Sequence, residues 1–215
     1  MNRLEVFFRQ FKPMNFKKGE TILRASEAPP GVYFLEKGYA RLYAVSKKGE
    51  ELTLIIFKSG DPFPIIWAIN DTPNNYFLEA MTECTLLRIP KDKFVEFVKS
   101  NPEILFDVTR RMLARFGGLL TRMEYLVFGN AYAKVASIII ICAERFGRKR
   151  GKKIVIQVPL THNDIANLVG ITRETASLEL KKLENKGLID YERHLLLVKN
   201  LKGLREESLL EILES

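Results

Sequence analysis

The 215-residue sequence has little of what most metal, redox and hydrolytic sites are built from: two cysteines, two histidines and one tryptophan. Cys84 and Cys142 stand alone, without CxxC spacing, which argues against a disulfide framework, a zinc module or an iron-sulfur cluster. His162 and His194 lie near no Ser or Cys in a catalytic spacing, so the chain reads as no enzyme. Long apolar runs are also missing. The longest, from Val135 to Ala143, is about half of the roughly 20 residues that cross a bilayer. The N-terminal stretch carries charge among its apolar residues and has no small-residue cleavage site, so neither membrane partner nor secretory leader is expected, and a cytoplasmic protein is.

What is present is ordinary globular composition, 47% apolar and 28% charged, with a net charge of +8. A basic surplus points to an anionic partner, nucleic acid first. It divides equally on the two sides of residue 129 and so does not place the surface.

From Gly19 to Ile89, short β-branched and aromatic runs alternate with turns such as Pro29-Pro30-Gly31 and Ser59-Gly60-Asp61-Pro62, the pattern of an antiparallel barrel or jelly roll. Past Pro90 the period becomes helical. Asn101-Pro102 stops one helix and starts another, in which Leu105, Met112, Leu119 and Leu126 recur every seven residues, with Thr109, Phe116 and Met123 between them. The helix, roughly 35 Å long at 1.5 Å per residue, outruns a small barrel. Leu105, Met112, Phe116, Leu119, Met123 and Leu126 are therefore read as a dimer interface. Gly117-Gly118 is anomalous in mid-helix, at roughly 1 kcal/mol each, and implies close approach of a helix or a ligand.

Gly129-Asn130 breaks the helix. An apolar helix over 131–146 then runs into Arg145–Lys153, six basic residues in nine, whose composition suits DNA phosphates flanking a site or a solvated loop. After a strand at 154–158 come two helices. Thr161 can cap the first with Asp164 at its third position, Gly170 permits a tight turn, and Thr172 can cap the second. At 100° per residue, Ala176, Leu180 and Leu183 share the buried face of the second helix. Glu174, Leu178, Lys181 and Asn185 point outward, with Arg173 and Ser177 on the flank. Such positions on a helix in the major groove can read bases, Arg pairing guanine, Glu accepting from cytosine and an apolar side chain meeting a thymine methyl. Arg173, Glu174, Ser177 and Leu178 are the candidate base readers. Gly187 ends the helix, and two short strands around Arg193-His194 form a wing. Thr161, His162, Thr172, Lys181 and Arg193 are the candidate phosphate contacts.

The runs Leu160–Ala166, Thr172–Ser177 and Leu183–Ile189 resemble the signature of the CRP-FNR family of bacterial transcription regulators, over nearly the whole chain. The resemblance implies an α+β protein with an N-terminal double-stranded β-helix (jelly roll) at 1–100, a dimerisation helix at 101–129 and a winged helix-turn-helix at 130–215. It implies base reading by Arg173 and Glu174, a phosphate contact at Thr172, and RNA polymerase as a partner near the basic run. Members that bind cyclic nucleotides carry Gly-Glu and Arg-Ser pairs. This chain has Asp61–Trp67 and Asn74-Asn75 at those places, which argues against cyclic AMP, since the phosphate would lose its charge-assisted partner. No N-terminal cysteine cluster is present, and both histidines lie outside the sensor half, which argues against haem. An unidentified small effector could instead meet Phe63, Trp67, Asn74, Asn75 and Tyr76, completed by Arg115, Gly118 and Arg122, although such an aromatic cluster also suits plain core. A homodimeric regulator on double-stranded DNA is the leading reading. The alternative is a small-molecule sensor whose winged domain contacts only proteins.

Overall fold

The computed structural model describes residues 3–210; Met1 and Asn2, which open the stretch weighed as a leader, and the last five residues assigned to the third domain lie outside them. The chain forms two compact units that divide at Arg115/Phe116, inside the long helix. That helix is thus shared between them, where the sequence reading set it apart as a middle segment.

In the first unit the order is α1 (Arg3–Phe8), β1 (Pro13–Phe16), β2 (Thr21–Leu23), β3 (Val32–Lys37), β4 (Tyr39–Val45), β5 (Glu51–Lys58), β6 (Pro62–Phe63), α2 (Ile65–Asn70), β7 (Phe77–Ala80), β8 (Cys84–Ile89), α3 (Lys91–Ser100) and the start of α4 (Pro102–Phe128). Two antiparallel sheets, β1-β8-β3-β6 and β2-β7-β4-β5, make the jelly roll. β3 is buried along Val32–Leu35 because both of its faces are covered. Val32 and Phe34 join Leu87 and Ile89 of β8 in a core with Leu4, Phe8, Phe94, Ile104 and Val108 of the helices. Tyr33 and Leu35 turn the other way, into a second core with Phe57, Phe63, Leu78 and Leu86. α1, β1, β6 and α2 were not anticipated; they are short segments whose form is set by packing on β3, β8 and α3 more than by their own periodicity.

The proposed ligand lining is not assembled as expected. Phe63 is 1% exposed, its ring 4.7 Å from that of Phe57 and 5.9 Å from that of Tyr33, and so it fills the roll. Trp67 packs against the other core. Asn74 is buried and spends its amide on the carbonyls of Arg24 and Tyr76, at 2.8 and 3.0 Å, while Asn75 and Tyr76 are exposed. Arg115 is paired with Asp61 and lies over the Phe57 ring. Gly118 has open space where a Cβ would stand, and Arg122 is buried in the second unit.

α4 runs unbroken through Gly117-Gly118, and nothing lies within 4 Å of either absent Cβ. The helix is intrinsically weakest just past the point where the two units divide. Its buried side carries Ile104, Val108, Arg122 and Tyr125. Its opposite side leaves Leu105, Phe106, Leu113, Phe116, Leu119, Leu120, Met123 and Val127 exposed. The stripe is wider than the heptad reading: Leu113, Leu120 and Val127 join it, whereas Met112 is half-buried against the first unit's core and Leu126 is half-buried. At Gly129 a Cβ would stand 2.5 Å from the Tyr125 carbonyl, which accounts for glycine at the helix end.

The second unit continues with α5 (Ala131–Phe146), β9 (Gly147–Arg150), β10 (Lys153–Ile156), α6 (His162–Val169), α7 (Arg173–Asn185), β11 (Ile189–Glu192), β12 (Leu195–Val198) and α8 (Leu201–Glu206). Its antiparallel sheet has the order β11-β12-β10-β9. The basic run is therefore not a loop: Arg148–Arg150 is an edge strand, hydrogen-bonded to β10, whose composition hides it from a search for β-branched residues.

Because Phe63 is core, Phe63→Ala is expected to cost about 3–5 kcal/mol, read from the unfolding of the first unit in denaturant.

Candidate nucleic-acid interface

Two helices and a hairpin of the second unit make the candidate interface, and local chemistry fixes each. Thr161 caps α6: its hydroxyl accepts from the Asp164 amide at 3.1 Å, and the Asp164 carboxylate accepts from the Thr161 amide at 2.8 Å and hydroxyl at 2.6 Å. Gly170 closes α6 in the left-handed region at φ 68°, its amide donating to the Ala166 carbonyl. Thr172 caps α7 by accepting from the Thr175 amide at 3.2 Å. Ala166 and Ala176, 1% and 0% exposed, leave room for the helices to meet closely.

α7 presents the expected faces. Ala176, Leu180 and Leu183 are buried; Arg173, Glu174, Lys181 and Asn185 are exposed, and Leu178 is 64% exposed. The Arg173 and Glu174 side chains have no ion pair or hydrogen bond among the described residues. Both sit in the first turn, where backbone amides lack intrahelical partners and favour a phosphate. Glu179, which the sequence reading did not place, is buried and accepts from Lys182 at 3.0 Å.

Other expected contacts are already engaged. Ser177 Oγ donates to the Arg173 carbonyl at 2.9 Å and lies 2.8 Å from His162 Nδ1. Since the hydroxyl has one proton, His162 Nδ1–H is the donor in that contact, and the ring braces α7 from the start of α6. Ser177 thus reads as a positioning residue before it can be a base reader. The Thr161 and Thr172 hydroxyls serve as caps. Lys181 pairs with Glu184 at 2.7 Å in an exposed (i,i+3) contact of small energy, which a phosphate can displace.

The wing turn is strained. Arg193 and His194 both hold positive φ, 49° and 66°. A two-residue hairpin of this kind favours Asn-Gly, and residues with a Cβ there cost about 1–2 kcal/mol each.

Arg122 anchors the end of α4 within this unit. It is 7% exposed and donates from Nη2 to the carbonyl of Leu168, in the last turn of α6, where a cation also meets the negative end of the helix dipole. Burial pulls its guanidinium below the ordinary arginine value. Burial likewise pushes the Cys142 thiol beside it up to about 12. The sequence reading gave Arg122 to a ligand; the fold uses it to hold the helix-turn-helix. No group of three or more His, Cys, Asp or Glu side chains able to hold a metal ion occurs among the described residues, and none of their helices is long and apolar enough to cross a membrane.

Residues 13–101 match the cyclic nucleotide-binding domain family and residues 133–207 the Crp-like helix-turn-helix domain family. The chain is 24% identical over 196 residues to a CRP-like cAMP-activated global transcriptional regulator of Mycobacterium tuberculosis, covering 91% of this chain and 88% of that one. It is 28% identical over 176 residues to a global nitrogen regulator of Nostoc, covering 81% and 79%. Among solved structures, a CRP/FNR-family transcriptional regulator from Thermus thermophilus superposes with a TM-score of 0.71 at 27% identity, covering 91% and 97%. A mutant of CooA from Carboxydothermus hydrogenoformans superposes at 0.78 and 24%, covering 96% and 91%.

Replacing the wing turn, Arg193→Asn with His194→Gly, is expected to raise stability by about 1–2 kcal/mol while weakening duplex binding, measured by thermal unfolding and by fluorescence anisotropy.

Proposed function

The chain belongs to the CRP-FNR family of transcription regulators, and from that premise we propose that it is a sequence-specific DNA-binding regulator acting as a homodimer on a pseudo-palindromic site. The observation that carries this is the outward face of α7. Arg173 and Glu174 have no side-chain partner among the described residues at its N-terminal turn, and Leu178, 64% exposed, sits among polar neighbours one turn further on. Arginine to guanine, glutamate to cytosine and leucine to a thymine methyl is a reading set that the major groove can use. Backbone contacts come from Arg193 at the wing, from Lys181 once it leaves Glu184, and from the first-turn amides of α6 and α7. The exposed stripe of α4 supports the homodimer: a run of large apolar side chains along one helix face is covered most simply by the same face of a second copy. The two recognition helices then enter successive major grooves about 34 Å apart.

In this reading the protein works in the cytoplasm, with RNA polymerase as a partner, and catalyses no reaction. An effector, where one acts, is not cyclic AMP. Two facts support that exclusion: Arg115 is paired with Asp61, and Arg41 is held between Glu79 at 3.2 Å and Glu51 at 2.7 Å. A cyclic phosphate would have to displace a carboxylate from either arginine. The two isolated cysteines and the placement of both histidines beyond residue 160 likewise support a chain without an iron-sulfur cluster or haem.

Site selection from a random duplex library is expected to return a two-fold symmetric motif. Arg173→Ala then loses about 1–3 kcal/mol of discrimination at one base pair per half-site. Wild-type protein with no duplex affinity at low salt would instead favour the protein-contact alternative. Phe116→Glu, at an exposed position of α4, is expected to give monomers by sedimentation equilibrium and to weaken binding to the full site far more than to a half-site.

A further inference from the structure

The hairpin formed by β9 and β10 carries most of the basic run, and the contacts proposed for α6, α7 and the wing do not use it. Gly147–Arg150 is exposed throughout, as are Gly151, Lys152 and Lys153, and β9 is the outer edge of its sheet. Arg148, Lys149, Lys152 and Lys153 make no side-chain hydrogen bond or ion pair among the described residues. Lys153 is the cross-strand neighbour of Arg150, and Arg148 lies two residues along the same face. Arg150 donates to both carboxylate oxygens of Glu192, 42 residues on, at the end of β11 and next to Arg193 of the wing turn. The hydrogen bond from Arg150 holds the Glu192 carboxyl below its ordinary value, and the charges of Arg193 and Lys153 act in the same direction. Arg148, Arg150 and Lys153 of the hairpin thus share one cationic surface with Arg193 around a single carboxylate, although the sequence separates hairpin and wing by two helices.

We propose that the β9–β10 hairpin is a second DNA-backbone contact, which engages phosphates outside the base pairs read by α7. The proposal rests on the DNA-binding reading and adds a surface to it. Two features favour a polyanion over a protein partner. From Gly147 to Lys153 there is no apolar side chain, whereas stable protein interfaces are built on buried aromatic or aliphatic anchors. Phosphate binding needs only cations in a row and no anchor. The tie through Glu192 also puts the array on the surface that holds Arg193, already laid on the backbone. Edge-strand lysines do keep an open strand from pairing with another chain, which covers Lys149 but not Lys152 in the turn, where no strand edge is exposed.

The test uses the full chain and two duplexes carrying the same selected site, one trimmed to the motif and one with ten further base pairs on each side. In the variant Arg148→Gln/Lys149→Gln/Lys152→Gln/Lys153→Gln, affinity for the long duplex is expected to fall about tenfold or more at moderate salt. The slope of log K against log salt should become shallower by about 0.9 for each phosphate that the variant no longer neutralises. On the trimmed duplex it should match wild type. Glu192→Gln, which releases Arg150, should bind the long duplex more tightly and with a steeper salt slope. Arg173→Ala should lose base discrimination on both duplexes, and its failure to do so would sink the DNA reading itself. A quadruple variant that equals wild type on both duplexes while wild type still reads the site overturns the proposal. Unchanged promoter occupancy with loss of transcription would also overturn it, and would give the hairpin to RNA polymerase.

Discussion

One helix has to satisfy two cores with one face. α4 buries Ile104 and Val108 in the first unit and Arg122 and Tyr125 in the second, while its other side, Phe116, Leu120 and Met123 among others, is exposed among the described residues. A helix apolar on two sides is not stable as a solvated element. In the proposed homodimer that exposed side is covered by the same side of a second copy, the self-complementary solution. Dimerisation on this view follows from how α4 is spent, and the symmetry of the DNA site follows from the dimer.

The anchoring of each half of α4 is polar as well as apolar. Arg111 Nη1 donates to the Gly60 carbonyl at 3.1 Å and Arg115 pairs with Asp61, both in the turn between β5 and β6. Arg122 reaches the C-terminal turn of α6. A buried arginine is held in place because removing either partner leaves an unmet charge or carbonyl, a loss of several kcal/mol. The polar anchors of the helix thus reach the β5–β6 turn in the first unit and the C-terminal turn of α6 in the second.

The helix-turn-helix unit separates residues that hold its shape from residues that stand exposed on α7. Thr161, Thr172, Asp164, His162 and Ser177 are consumed in caps and braces, so that Arg173, Glu174 and Leu178 stand out from a rigid helix start. Preorganisation of this kind lowers the ordering cost of binding. The wing does the reverse: Arg193 and His194 hold a turn that glycine would relax, at a local cost in strain.

The sequence alone determined six of the strands of the roll, the bounds of α4 to within a residue, the caps at Thr161 and Thr172 and the buried face of α7. These are set by periodicity and by side chain to backbone bonds a few residues apart, and local chemistry is legible in order along the chain. Tertiary structure alone decided the rest. Phe63 became core and Arg122 an anchor because their partners, Phe57 and Leu168, are brought in by the fold. The basic run became a strand because β10 offered it an edge, and Arg150 met Glu192 only because the sheet brought the hairpin and the wing together. Contacts between residues far apart in sequence leave no periodic trace, since any side chain of fitting size or charge could have made them.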